Sequence, residues 1–178
     1  MRALPVVTTA TAVAALLLLT ACGGDGGDGA DGGGDEKSAG RDTAACTIDQ
    51  VRLEAGPASL APADGDTGEV PFTVLNQGDP CVLPGTPEVF LEGVSGSERT
   101  DVPLVEGSKP RDVTLAHDGT ASFVVTYVRG SAFDPGDLHF GLSPATATEK
   151  VPWTYGGIAA TEDGGHQVSV STYQQTGD

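Results

Sequence analysis

Few residues in the chain have the type and spacing that catalysis or metal binding requires. The serine-centred stretches 93–97 and 141–145 each lack the last glycine of the hydrolase nucleophile elbow. His117, His139 and His166 lie far apart, and the chain has no close histidine pair and no Cys-x-x-Cys motif. A metal site would therefore need all its ligands gathered by folding. We predict a protein that is not an enzyme and that uses no cofactor or metal.

Other polar and aromatic groups favour structural roles. The acidic stretch 64–69 offers oxygens to calcium but lacks the full twelve-residue loop, so we expect a solvated turn. Trp153 and Tyr155 could form a stacking surface for a sugar or a peptide. Packing in the core or at a sheet edge is the commoner fate of such aromatic side chains. The ligand-binding residues are thus left open.

The first 21 residues have the pattern of an export signal. Arg2 precedes an apolar core, residues 11–19, that is too short for a comfortable membrane-spanning helix. The next residues, Leu19-Thr-Ala-Cys22, resemble the bacterial lipobox, in which the cysteine is acylated and becomes the mature N-terminus. We predict a lipoprotein signal peptide at residues 1–21 and lipidation of Cys22. Plain secretory cleavage is the alternative.

The predicted anchor sets the location of the protein. Two or three acyl chains would hold the chain stably on the extracellular face of the bacterial cell membrane. Residues 22–45 comprise the lipidated cysteine and a linker rich in glycine and aspartate. This linker has almost nothing apolar to bury, so we expect it to be a disordered stalk.

The remaining two cysteines are predicted to pair. The chain has three cysteines, and Cys22 is committed to the anchor, which leaves Cys46 and Cys81. An exported chain meets oxidising conditions, which favour a disulfide between them. The alternative is two buried free thiols.

Residues 46–175 are predicted to form one all-β domain. Short apolar runs alternate with glycine and proline, and no helix-period pattern of useful length appears after the signal. An antiparallel β-sandwich accounts for this spacing. Apolar residues alternate in residues 121–128, where Ala121, Phe123, Val125 and Tyr127 should face inward. The candidate strands are residues 48–53, 70–75, 81–83, 88–91, 112–116, 121–128, 138–142, 151–154 and 167–173.

Two segments resemble a known family. They are Asn76-Gln-Gly-Asp-Pro-Cys-Val-Leu-Pro-Gly-Thr-Pro87 and Val113-Thr-Leu-Ala-His-Asp-Gly-Thr-Ala-Ser-Phe123, with Cys46 ahead of the first strand. They are similar to secreted, largely actinobacterial lipoproteins built around a domain of unknown function. The resemblance implies an immunoglobulin-like sandwich outside the cytoplasm. It assigns no activity and no site residues.

The charge restricts the class of partner. The net charge of −16 makes nucleic acid an implausible partner. We expect the membrane to be contacted through the lipid anchor, and another protein or a cell-envelope component to be bound by the domain. The chain is therefore predicted to be a non-catalytic binding module of the cell envelope. The alternative is a small-ligand or metal-ion carrier that works with a membrane transporter.

Overall fold

The structure is a computed structural model that describes residues 43–142 and 148–175. The predicted signal peptide, the lipidation site at Cys22 and most of the predicted stalk lie outside these residues. Within the described residues, the only helical element is a 3-10 turn at Ile48–Gln50, and no helix is long and apolar enough to cross a membrane.

In the part of the chain that the structure describes, eleven strands follow this turn in chain order. They are β1 (Val51–Ala55), β2 (Thr67–Asn76), β3 (Cys81–Leu83), β4 (Glu88–Gly93), β5 (Arg99–Asp101), β6 (Val113–Leu115), β7 (Thr120–Phe133), β8 (Pro135–Gly141), β9 (Glu149–Pro152), β10 (Val168–Val170) and β11 (Gln174–Gln175). One sheet has the order β1-β2-β7-β10, with β11 also paired to β7, and a second has the order β5-β4-β8-β9. Strands β3 and β6 form a separate pair.

The strand pairs are antiparallel, and the sheets pack together as an immunoglobulin-like β-sandwich. The predicted fold class is therefore confirmed. The inward row of β7 is confirmed as well, since all four of its predicted members are buried. The ring of Phe123 lies 5.3 Å from that of Phe72 in the same sheet and 5.7 Å from that of Phe140 in the other sheet. These aromatic contacts join the two sheets.

Two departures from the predicted strands have a clear physical reason. Ile48–Gln50 is a 3-10 turn rather than the start of β1, because the side-chain oxygen of Gln50 accepts hydrogen bonds from the amide and hydroxyl of Thr47 at 3.2 and 2.9 Å. Strand β5 was not predicted at all. Its residues, Arg99–Asp101, are all polar, so the apolar alternation that marks a strand is missing.

A buried amide ties two turns together near the end of β2. Asn76 is fully buried, and its amide nitrogen donates to the carbonyls of Asp79 and Ala116, both at 2.9 Å. Its Oδ1 accepts from the amide of Gly78 at 3.0 Å. The side chain therefore links the β2–β3 turn to the β6–β7 turn.

The N-terminal segment of the described chain is fixed beside β3. Cys46 and Cys81 form a disulfide with a Cα–Cα distance of 4.8 Å, which confirms the predicted pair. The amide of Val82 donates to the carbonyl of Ala44 at 2.8 Å, and the amide of Cys46 donates to the carbonyl of Val82 at 2.9 Å. Residues 44–46 thus run parallel to β3, so the last two residues assigned to the stalk belong to the folded body.

Tyr173 provides a test of the core. Its ring contacts Phe123 edge-on at 5.9 Å, and its hydroxyl has no hydrogen-bond partner among the described residues. Tyr173→Phe keeps the ring and removes the unpaired hydroxyl, so the free energy of unfolding at neutral pH should be unchanged or rise by up to about 1 kcal/mol. Urea denaturation measures this, and a loss of more than about 1 kcal/mol would contradict the buried, unpaired state.

The same variant should differ in its response to alkali. Burial raises the pKa of Tyr173 well above its ordinary value of 10.0. Because deprotonation is harder in the folded chain, this tyrosine supports folding below about pH 10, and the support is lost as the pH rises further. Tyr173→Phe should therefore lose less stability than the wild type between neutral pH and about pH 11.

Candidate functional site

Strand β5 lies at an edge of the second sheet and pairs only with β4 among the described strands. The amide of Gly93 donates to the carbonyl of Glu98 at 2.9 Å, which fixes the pattern of the ladder. Hydrogen-bonded and non-hydrogen-bonded residue pairs alternate in an antiparallel ladder. Arg99 and Asp101 therefore direct their backbone N–H and C=O groups away from β4. This open edge presents two donors and two acceptors.

A cleft lies beside this edge. Its other wall is the loop between β9 and β10, and its volume is about 430 Å³. The polar residues that line it are Arg99, Thr100, Asp101, Thr161, Asp163 and His166. We call this space the β5-edge cleft.

The loop that forms the second wall is a short hairpin. The amide of Thr161 donates to the carbonyl of Gly165 at 2.9 Å, and the amide of Gly164 donates to the carbonyl of Thr161 at 3.2 Å. Gly164 has a φ of 86°, a conformation that glycine adopts without strain. The turn places Asp163 beside the tip and His166 at the base.

His166 connects the hairpin to β5. Its Nδ1 lies 2.7 Å from the hydroxyl oxygen of Thr100, and its ring centroid lies 4.8 Å from that of Phe133. Its Nε2 is 4.0 Å from the carboxylate of Glu98, which is too long for a hydrogen bond. The imidazole therefore holds the two walls of the cleft together.

The free charge of the cleft is mainly negative. The hydroxyl of Thr161 and neighbouring backbone amides lower the pKa of the exposed Asp163 carboxyl, which is therefore ionised at neutral pH. Arg99 forms an ion pair with Asp101 at 2.8 Å and lies 3.7 Å above the ring of Phe90. The guanidinium of Arg99 is thus engaged by Asp101 and Phe90. The carboxylate of Asp163 is the group that a cationic ligand could bind.

On the outer face of the second sheet, polar side chains lie close to one another. The ring of His139 stacks on Phe90 at 4.3 Å, and its Nε2 lies 3.5 Å from the carboxylate of Glu92. Lys150 forms an ion pair with Asp137 at 2.7 Å. Among the described residues, Nε2 of His139 is buried without a hydrogen-bond partner.

The three histidines are not brought together. Nδ1 of His117 lies 2.8 Å from the carbonyl oxygen of Gly78, in a turn, whereas His139 is on the outer sheet face and His166 is in the cleft. Residues 43–142 and 148–175 contain no group of three or more His, Cys, Asp or Glu side chains suited to a metal ion.

The structure assigns Trp153 to the core rather than to a stacking surface. It is 5% exposed, and its Nε1 donates to the carbonyl of Gly156 at 2.8 Å. Its ring meets the rings of Tyr127 and Tyr155 edge-on at 5.3 and 4.9 Å. Tyr155 is half-buried in this cluster. Packing, the commoner fate weighed for these aromatics, is the one observed.

Sequence reasoning missed the β5-edge cleft. Its walls come from residues 99–101 and 161–166, which are some 60 positions apart in the chain. Neither stretch contains an apolar pattern or a recognised motif. In the sequence His166 is an isolated histidine, and nothing near it predicts a hydrogen bond to Thr100.

Comparisons with known proteins bear on the family alone. A family model described as Domain of unknown function (DUF4232) matches residues 46–176. No curated protein and no solved structure matches the chain. The matched residues make up most of the chain, so the chain belongs to the family defined by the domain of unknown function DUF4232.

Proposed function

We propose that the protein is a lipoprotein anchored to the extracellular face of the bacterial membrane, whose sandwich domain binds another protein or a cell-envelope component without catalysis. The lipobox-like segment ending at Cys22 supports the anchor. The similarity to largely actinobacterial secreted lipoproteins supports the same location.

The position of the β5-edge cleft supports the proposal that the domain binds a partner. Strand β7 begins beside Asn76, whose backbone N–H donates to the carbonyl of Gly119 at 3.0 Å. The strand ends at Phe133, whose ring contacts the ring of His166. Cys81 follows Asn76 closely in the chain, so the N-terminal segment joins the domain near the start of β7. The cleft lies near the other end. A domain tethered by its N-terminal segment would present the cleft away from the tether.

The anchor is tested by Cys22→Ala. Lipid attachment needs the thiol, so the wild-type protein should sediment with membranes, whereas the variant should be enriched at least about tenfold in the soluble or secreted fraction. Fractionation and intact-mass measurement of the N-terminal peptide check both points. Cys46→Ala is the matched control, because it removes a cysteine but leaves the lipobox and should stay on the membrane. Equal membrane retention of wild type and Cys22→Ala would contradict the anchor.

A small-ligand carrier is the second candidate. The cleft volume of about 430 Å³ lies within the range of small-molecule pockets, which favours this function. A thermal-shift screen of sugars, amino acids and divalent ions separates the two candidates. A large shift that is specific to one ligand and is lost in Asp163→Asn would favour the carrier, whereas an interaction module should show no such shift.

A further inference from the structure

We propose that the β5-edge cleft binds an extended, basic segment of a partner protein, which adds as a strand beside Arg99–Asp101. This inference rests on the proposed binding function and specifies the chemistry of the partner. Strand addition to an exposed sheet edge is a common mode of peptide recognition, in which main-chain hydrogen bonds supply affinity.

The backbone of β5 is prepared for such a strand. The outward N–H and C=O groups of Arg99 and Asp101 have no hydrogen-bond partner among the described residues. Unpaired edge groups of this kind are a template for another chain, and proteins commonly block them. Because the edge of β5 is open and faces a cleft, we expect another chain to bind there.

Two other edges of the same sandwich are each interrupted at one outward-facing position. In β9, the bond from the amide of Trp153 to the carbonyl of Gly136 makes position 152 outward-facing, and Pro152 has no N–H to offer there. In β1, the outward amide of Leu53 donates to the carboxylate of Glu149. Each of these edges therefore lacks one of the free N–H groups that an added strand would need.

The edge of β10 is covered by the chain that follows β5. The amide of Val170 donates to the carbonyl of Pro103 at 2.9 Å, and the amide of Val105 donates to the carbonyl of Val170 at 2.9 Å. The chain after β5 is thus paired at positions 103 and 105, whereas positions 99 and 101 remain open. The cleft begins where this pairing stops.

The charges around the open edge select a basic occupant. Asp163 is ionised and exposed, and the side chain of Glu98 is 56% exposed. Arg99 is committed to Asp101 and to the ring of Phe90, so it adds little free positive charge. A lysine or arginine in the added strand would meet these carboxylates. A second copy of this chain is disfavoured, because two copies with a net charge of −16 repel each other.

Selection from a random displayed peptide library tests the inference. The bait is the full-length protein, solubilised from its membrane in detergent. Selected peptides should be enriched in lysine and arginine over aspartate and glutamate. They should bind Asp101→Pro at least about tenfold more weakly than the wild type, the factor that corresponds to about one good hydrogen bond.

Asp101→Pro is chosen because its amide faces outward. Proline at that position removes a donor from the open edge and leaves the ladder to β4 intact. It also removes the carboxylate that pairs with Arg99, so Asp101→Asn, which keeps the backbone donor, is measured beside it and should bind peptides more tightly than Asp101→Pro. Lys150→Pro is the matched control, since it makes the same change at an outward position of β9 and should bind peptides like the wild type. Thermal unfolding of both variants verifies that each remains folded.

A second measurement works from the peptide side and needs no variant. N-methylation of the central residue of a selected peptide should weaken binding at least about tenfold by removing a main-chain hydrogen bond. Hydrogen exchange at the amides of Arg99 and Asp101 should slow when the unmodified peptide is bound. Absence of any selected peptide, equal binding to wild type and Asp101→Pro, or enrichment of acidic peptides would each overturn the inference.

The two proposals can fail separately. If Cys22→Ala leaves the membrane as expected but no peptide is selected, strand addition is refuted and the anchored location stands. If peptides bind as expected but Cys22→Ala stays on the membrane, the anchor is refuted and the β5-edge site stands.

Discussion

Asn76→Ala should lower the free energy of unfolding by about 3 to 5 kcal/mol, because it removes three hydrogen bonds that a fully buried side chain makes to the backbone of two turns. The carbonyls of Asp79 and Ala116 each lose a donor, and the amide of Gly78 loses its acceptor. The two turns that this amide links would keep the contact between Nδ1 of His117 and the carbonyl oxygen of Gly78, but they would lose the link through the buried amide. Urea denaturation of the wild type and the variant measures the loss.

Gln77→Ala is the matched control. Gln77 is the exposed neighbour in the same turn, so its truncation should change the free energy of unfolding by no more than about 0.5 kcal/mol. If Asn76→Ala lowers the free energy of unfolding by less than about 1 kcal/mol, the buried amide does not stabilise the fold as predicted.

Asn76→Asp separates hydrogen bonding from size. The introduced carboxylate can accept from Gly78, but it would face two carbonyl oxygens in a buried site. Its folded pKa should therefore lie above the unfolded value of about 3.9. Relative to the wild type, this variant should be least destabilised near about pH 4 and increasingly destabilised as the pH rises towards neutrality.

Removal of the disulfide should have a comparable effect. The double variant Cys46→Ala/Cys81→Ala should unfold with a free energy lower by about 3 to 4 kcal/mol, because the bridge closes a loop across a sequence separation of 35 residues. The unfolded chain gains entropy without that closure. Denaturation in urea, with and without reductant, measures the change.

Reductant supplies the internal control for this prediction. It should lower the stability of the wild-type protein by a similar amount but should leave the double variant unaffected. If the denaturation midpoints of the two proteins coincide without reductant, the bridge does not stabilise the fold as proposed.

Local patterns were sufficient to predict the sandwich and its bridge. The alternation of Phe123, Val125 and Tyr127 needs one buried sheet face, whatever the partner strands are, and all three are buried in the structure. The pairing of Cys46 with Cys81 followed from the predicted lipidation of Cys22, which left two cysteines to pair. Each of these inferences depends on few residues and on one physical preference, which is burial of apolar side chains in the first case and disulfide formation in the second.

The β5-edge cleft could not be predicted in this way. Arg99-Thr-Asp101 has the composition of a loop. It forms a strand because, after a short turn, its backbone pairs with β4. The partner of Thr100 is His166, which is separated from it by 66 positions. Contacts of this kind depend on the tertiary fold, and no local preference of the sequence encodes them.

The disulfide also sits at the point where mechanical force would enter the domain. Tension applied at Thr43 would first meet the two hydrogen bonds between residues 44–46 and Val82, and then the covalent bond between Cys46 and Cys81. The load would pass into β3 and bypass β1. Peeling of the sandwich from its first strand would thus require prior reduction of the bridge, so the redox state of its surroundings would decide whether a pulled domain stays folded.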